Sequence, residues 1–109
     1  MEQHIWVLVN CNSSEEAEKI GRAILETRLG VCFDIFSREL SAYFWPAKSG
    51  RIETTKGALL IIETFKNHYA SLKDRVKKMH SDELPFIAYL NIEGADEEFQ
   101  AWMKGELEK

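Results

Sequence analysis

The chain has 109 residues, 45% of them hydrophobic and 29% charged, with a formal net charge of −4. That balance describes a single globular domain over residues 1–109, with material for one core, and sets aside disordered and membrane-embedded classes. Negative charge offers no attractive field to nucleic acid or an anionic membrane, and the basic run "KDRVKKMH" reads as the solvated face of a helix. The apolar run in "MEQHIWVLVNCN" has no basic flank and falls short of a signal segment or the ~20 residues of a membrane span, so a cytoplasmic location is expected. Cys11 and Cys32, without CxxC spacing, are expected there as free thiols.

"HIWVLVN" is a short β-branched run, as in a buried strand. In "NSSEEAEKIGRAILETRLG" the residues Ala17, Ile20, Ile24 and Leu29 recur near helical spacing. Ser13 with Glu16 forms a capping box, and Gly30 stands where a C-terminal stop belongs. "VCFDIFSRELSAYFW" is a strand with a bulge or bend at "SRE", "PAKSG" a turn, and "RIETTKGALLIIETF" the returning strand. "KNHYASLKDRVKKM" is a second helix with Tyr69, Leu72, Val76 and Met79 on one face, and "PFIAYLNI" is a strand. "ADEEFQAWMKGELE" is a terminal helix with Asp96 as N-cap and Phe99, Trp102 and Met103 as its apolar face.

The order β-α-β-β-α-β-α predicts an α+β fold: a ferredoxin-like βαββαβ antiparallel sheet with helices on one face and an added C-terminal helix. The central hairpin is too long for that fold alone. Val31 to Trp45, at ~3.3 Å per residue, reaches roughly 50 Å, whereas a globule of this length has a radius of gyration of about 13 Å. The hairpin from Ser41 to about Thr55 should project with Tyr43, Phe44 and Trp45 exposed, which calls for a homo-oligomer that covers it. The alternative is a strand that folds back at "SRE" onto its own core.

This topology puts Cys11 and His80 at one end of the sheet and Cys32 at the other. A thiolate, an imidazole and the carboxylates of Asp82 or Glu83 suit a soft or borderline divalent ion such as copper or zinc. The plainer reading leaves His80 as a helix C-terminal residue favoured by the macrodipole and Cys11 as a small hydrophobe. No G-x-S-x-G, phosphate-cradling glycine loop or H-E-x-x-H occurs. Catalysis would rest on Cys32 as a nucleophile paired with a histidine across a subunit interface. The run Tyr43-Phe44-Trp45 serves either interface packing or ligand stacking.

Taken in order, "RLGVCFDIF", "SAYFW" followed by "GRIE", "LLIIET", the His80-x-x-Glu83-x-Pro85 spacing and "AWM" resemble the CutA family, named for divalent-cation tolerance, over nearly the whole chain. The resemblance implies a cytoplasmic homotrimer joined through the long hairpin, a link to copper and other divalent ions, and a shape similar to PII signalling proteins. It also implies that Cys32 and His80 lie in clefts between subunits, with Tyr43, Trp45, Arg51, Glu53, Glu83 and Trp102 at further recurrent positions. Departures are "PAK", which looks inserted at the hairpin tip, Gly57 in place of a usual glutamate, Asp82 in place of a tyrosine, Ser81 in place of a proline, and Phe86 in place of an acid.

The leading expectation is a non-enzymatic trimer binding copper or another divalent cation through Cys11, His80 and Glu83, with Cys32 next. The alternative is a PII-like signalling or scaffold trimer, serving an unidentified protein partner. Its clefts take a small anionic ligand through Arg51 and Lys48, with Tyr43 and Trp45 stacking.

Overall fold

The computed structural model describes residues 2–108. β1 (His4–Cys11) leads to α1 (Ser14–Glu26), then to the hairpin of β2 (Cys32–Phe44) and β3 (Ile52–Phe65). A short 3-10 turn at Lys66–His68 opens α2 (Tyr69–Met79), followed by β4 (Ile87–Asn91) and α3 (Glu97–Leu107). The strands form one sheet in the order β2-β3-β1-β4, antiparallel at each pairing. Two interleaved β-α-β units give this order, as the alternation of elements predicts.

Strand alternation decides which side chains meet the helices. Ile5, Val7, Val9 and Cys11 of β1 and Ala58, Leu60 and Ile62 of β3 bury against Ala17, Ile20 and Ile24 of α1 and against Leu72 and Val76 of α2. Gly30 belongs to this packing and is not the helix stop. A Cβ there would lie 2.6 Å from Ile62. The stop falls two residues earlier, where Arg28 takes the left-handed conformation (φ 58°). The N–H of Leu29 then donates to Ile24 O and that of Arg28 to Leu25 O, both at 3.0 Å, which is the Schellman pattern.

α3 departs from the expectation that the helices share a face. His4 and Phe65 point away from α1 and α2, and α3 covers them: Met103 and Leu107 bury against Phe65 and Val31, and Phe99 stacks on His4 at 6.3 Å. The buried stripe of α3 is therefore Met103 and Leu107, with Phe99 and Trp102 left partly exposed. Among the described residues no helix covers the rest of this second sheet face, and Trp6, Phe36 and Leu90 on it are open to solvent.

The hairpin outruns the body, and the strand does not fold back. β1 ends at Cys11 opposite Ala58, so β3 from Ile52 to Gly57 pairs with β2 alone and has a free edge on its other side. The molecule measures 47 × 26 × 23 Å with a radius of gyration of 15.0 Å, above the ~13 Å of a compact chain this long. Between the pairs Arg38–Gly57 and Ser41–Thr55 the register shifts, so Glu39 and Leu40 share one partner position at Lys56. This bulge begins at the last residue of the "SRE" stretch. Because it inserts one residue, Tyr43 ends on the same face as Arg38, while Phe44 and Ile52 turn to the opposite side.

Candidate metal centre

Three element ends meet beyond the last turn of the core: the C-terminus of β1, the N-terminus of α1 and the C-terminus of α2. Cys11, Glu16 and His80 arrive from them, each with one ligand-type atom, and those atoms lie within 4.8 Å of one another. Cys11 gets there by strand alternation, as the last inward residue of β1. His80 gets there because α2 stops at Met79. His80 turns to extended backbone (ψ 142°) ahead of the 81–86 loop, and its side chain is wholly buried.

Glu16 was hidden in the sequence behind its capping role. Ser13 does cap α1, its hydroxyl accepting from the Glu16 N–H at 3.0 Å. The reciprocal half of the box is absent. Glu16 instead accepts from Asn12 N–H and Ser81 N–H, both at 2.9 Å, tying the entry of α1 to the loop after α2. Burial works to raise the Glu16 pKa. The hydrogen bonds from Asn12 and Ser81, with the His80 ring nearby, outweigh it and hold the carboxyl below its ordinary value. The available signal was positional: the first turn of α1 carries two acids, Glu15 and Glu16, beside the end of β1.

His80 donates Nε2–H to Asn10 O at 2.6 Å and accepts Asp82 N–H on Nδ1 at 3.0 Å, which fixes the orientation of the ring. Glu16 Oε1 stands 4.0 Å from Nε2. The Cys11 thiol is pushed up to about 12, first by burial and then by the negative field of Glu16, with Arg38 acting in the opposite sense. Sulfur, imidazole nitrogen and carboxylate oxygen make a donor set that fits a soft or borderline cation. An ion held there replaces the thiol proton and the His80–Asn10 hydrogen bond.

The other expected residues are elsewhere. Glu83 is exposed and lies outside the three-donor cluster. It lines a recess of about 500 Å³ beside the cluster, together with Asn12, Arg38, Tyr43, Trp45 and Phe86. Cys32 pairs with Glu63 at the far end of the sheet, and both cysteines are free thiols. Burial and then the charges of Glu63 and Asp34 push the Cys32 thiol up to about 11. Arg51 pairs with Glu53 at 3.1 Å, both on the hairpin, and neither Arg51 nor Lys48 lines the recess. Trp102 tilts against Phe99 at 5.4 Å on α3.

The second cluster of titratable groups is structural. His4 bonds the Glu63 carboxylate, which also accepts from Trp6 Nε1 at 2.9 Å, and Gln100 lies against the free side of the His4 ring.

The family model described as CutA1 divalent ion tolerance protein matches residues 5–106. The divalent-cation tolerance protein CutA of Archaeoglobus fulgidus is 34% identical over 100 residues, spanning 92% of this chain and 94% of its own. That of Thermus thermophilus is 32% identical, spanning 90% and 92%. The solved A. fulgidus structure, described as periplasmic, superposes with a TM-score of 0.89 at 33% identity, covering 95% of this chain and 98% of its own. CutA1 from Oryza sativa does so at 0.89 and 27% identity, covering 96% and 94%. Among the described residues no helix is long and apolar enough to cross a membrane. The chain belongs to the CutA1 divalent ion tolerance family.

Proposed function

We propose that this chain is a non-enzymatic, self-associating ion-binding protein, and that Cys11, Glu16 and His80 take up a soft or borderline cation, copper first. The observation that supports this most is the convergence of three different donor types within 4.8 Å at a point built from three element ends. Three protein donors leave room for one more ligand in a four-coordinate site, or suffice for a lower-coordinate ion. Bound there, the ion would supply a cross-link between β1, α1 and α2. The chain's own contribution is to hold the donors together and to keep the thiol dry.

Self-association follows from the overhang. Leu40, Phe44 and Ile52 on the hairpin and Leu84 beside the recess are each more than 60% exposed, and β3 carries an unpaired edge. Such a surface is covered in a stable soluble protein, and a homotrimer built on the hairpins is the arrangement we propose. Tyr43, Trp45, Arg51, Glu53 and Trp102 then lie in or near the clefts between copies. Two free thiols suit a reducing compartment, the cytoplasm. With both thiols held protonated at neutral pH, neither is poised as a nucleophile.

Anaerobic copper titration of wild type, Cys11→Ser and His80→Ala tests the reading. Weakening in both variants supports it, and equal affinities contradict it. Thermal stabilisation by a small organic anion that persists in chelator is the opposite outcome and points to the anion-binding alternative.

A further inference from the structure

Arg38 sits at the other side of Cys11 from His80, and the fold immobilises it. Its Nη1 donates to the carbonyl oxygens of Cys11 at 3.3 Å and Ala58 at 3.4 Å, so the guanidinium caps the end of β1 where the ladder with β3 stops. Its Nε is buried without an acceptor, and the group therefore stays in place through the carbonyls and its packing. Gly57, its partner across β2 and β3, makes the room: a Cβ there would lie 2.7 Å from Arg38 Nη2 and closer still to Cys11 O. The bulge directly after Arg38 carries the rest of β2 away, so the side chain lies back over the sheet end. A guanidinium keeps its proton across the whole working pH range.

We propose that Arg38 sets the charge preference of the Cys11–Glu16–His80 site, holding back divalent ions relative to soft monovalent ones such as Cu(I) or Ag(I). The proposal rests on the reading of that cluster as an ion site. A fixed positive charge repels a doubly charged ion twice as strongly as a singly charged ion at the same place, and screening is weakest on the buried Cys11 side of the guanidinium, its other side bordering the open recess. Glu16 and Asp82 attract either ion, and Arg38 subtracts from that attraction most for the divalent one. Its Nη1 lies 3.3 Å from Cys11 O, which brings the charge onto the backbone of the residue that carries the sulfur. Thiolate ligation already favours soft ions, so charge is the property left to select among them.

The test uses Ag(I) and Cd(II) as redox-inert probes, titrated separately by calorimetry in chloride-free buffer. The full-length protein carries Cys32→Ser in every case, so that only the Cys11 thiol reports. Arg38→Met removes the charge, and Arg38→Gln removes it while keeping a polar side chain, so that two charge-free variants are in hand. Arg38→Lys restores the charge. The expected result is a rise of about tenfold in the ratio of Cd(II) to Ag(I) affinity in the Met and Gln variants, with Lys within about threefold of wild type. An unchanged ratio in a folded charge-free variant overturns the proposal while leaving the ion site standing. So does a ratio that shifts as far in the Lys variant. If Cys11→Ser leaves both affinities as they were, the ion-site reading fails and takes the proposal with it.

Discussion

His80 Nε2 lies 2.6 Å from the carbonyl oxygen of Asn10, and the ring is therefore a strut between the end of α2 and the last residues of β1. Asp82 N–H completes it from the other side at 3.0 Å. The same imidazole that faces Cys11 and Glu16 thus holds the fold together before any ion arrives.

His80→Ala consequently loses stability as well as ligation. It leaves the Asn10 carbonyl and the Asp82 N–H without their partner and opens space in a buried position. A loss of about 2–4 kcal/mol is expected in urea unfolding of the metal-free protein. A midpoint equal to that of wild type contradicts the strut.

Two glycine substitutions should have opposite signs. Gly57→Ala pushes a methyl group against Cys11 O and the Arg38 guanidinium, and the backbone atom cannot give way without parting β1 from β3. A loss of about 2 kcal/mol or more is expected. Gly105, inside α3, has nothing within 4 Å of where its Cβ would be, so Gly105→Ala should gain about 0.5–1 kcal/mol. Denaturant midpoints of the two variants, measured side by side, check both signs.

Both thiols have their pKa raised by folding, to about 12 for Cys11 and about 11 for Cys32. Between the ordinary thiol pKa near 9 and those values, the unfolded chain releases protons that the native chain keeps. Stability therefore falls as pH rises through that window, by at most about 1.4 kcal/mol per pH unit for each thiol. Iodoacetamide at pH 8 should label the native protein far more slowly than the urea-unfolded chain. Equal rates would contradict the raised pKa of the two thiols.

Much of this architecture was legible from spacing. The 3.6-residue recurrence of Ala17, Ile20 and Ile24, the β-branched run of β1, and the excess length of β2 and β3 gave away the order of elements and the overhang. What escaped was decided by neighbours distant in sequence. Gly30 resembles a helix stop, but the close approach of Ile62 claims it, and Arg28 takes up the strained turn instead. α3 chose its face because Phe65 and His4 lie on the side away from α1, which no property of the helix itself announces.

The candidate site was half visible. Cys11 and His80 follow from counting strand directions. Glu16 was absorbed by its apparent capping partner Ser13 and found Asn12 and Ser81 instead. Arg38 was invisible, since its place over Gly57 depends on a one-residue bulge whose exact position sequence leaves open.

Sedimentation velocity of the metal-free protein at micromolar concentration is the most direct measurement of the whole account, because the clefts exist only if further copies cover the hairpin. A single species at three times the 12.6 kDa chain mass is the predicted result. A lone elongated subunit of 12.6 kDa would contradict it.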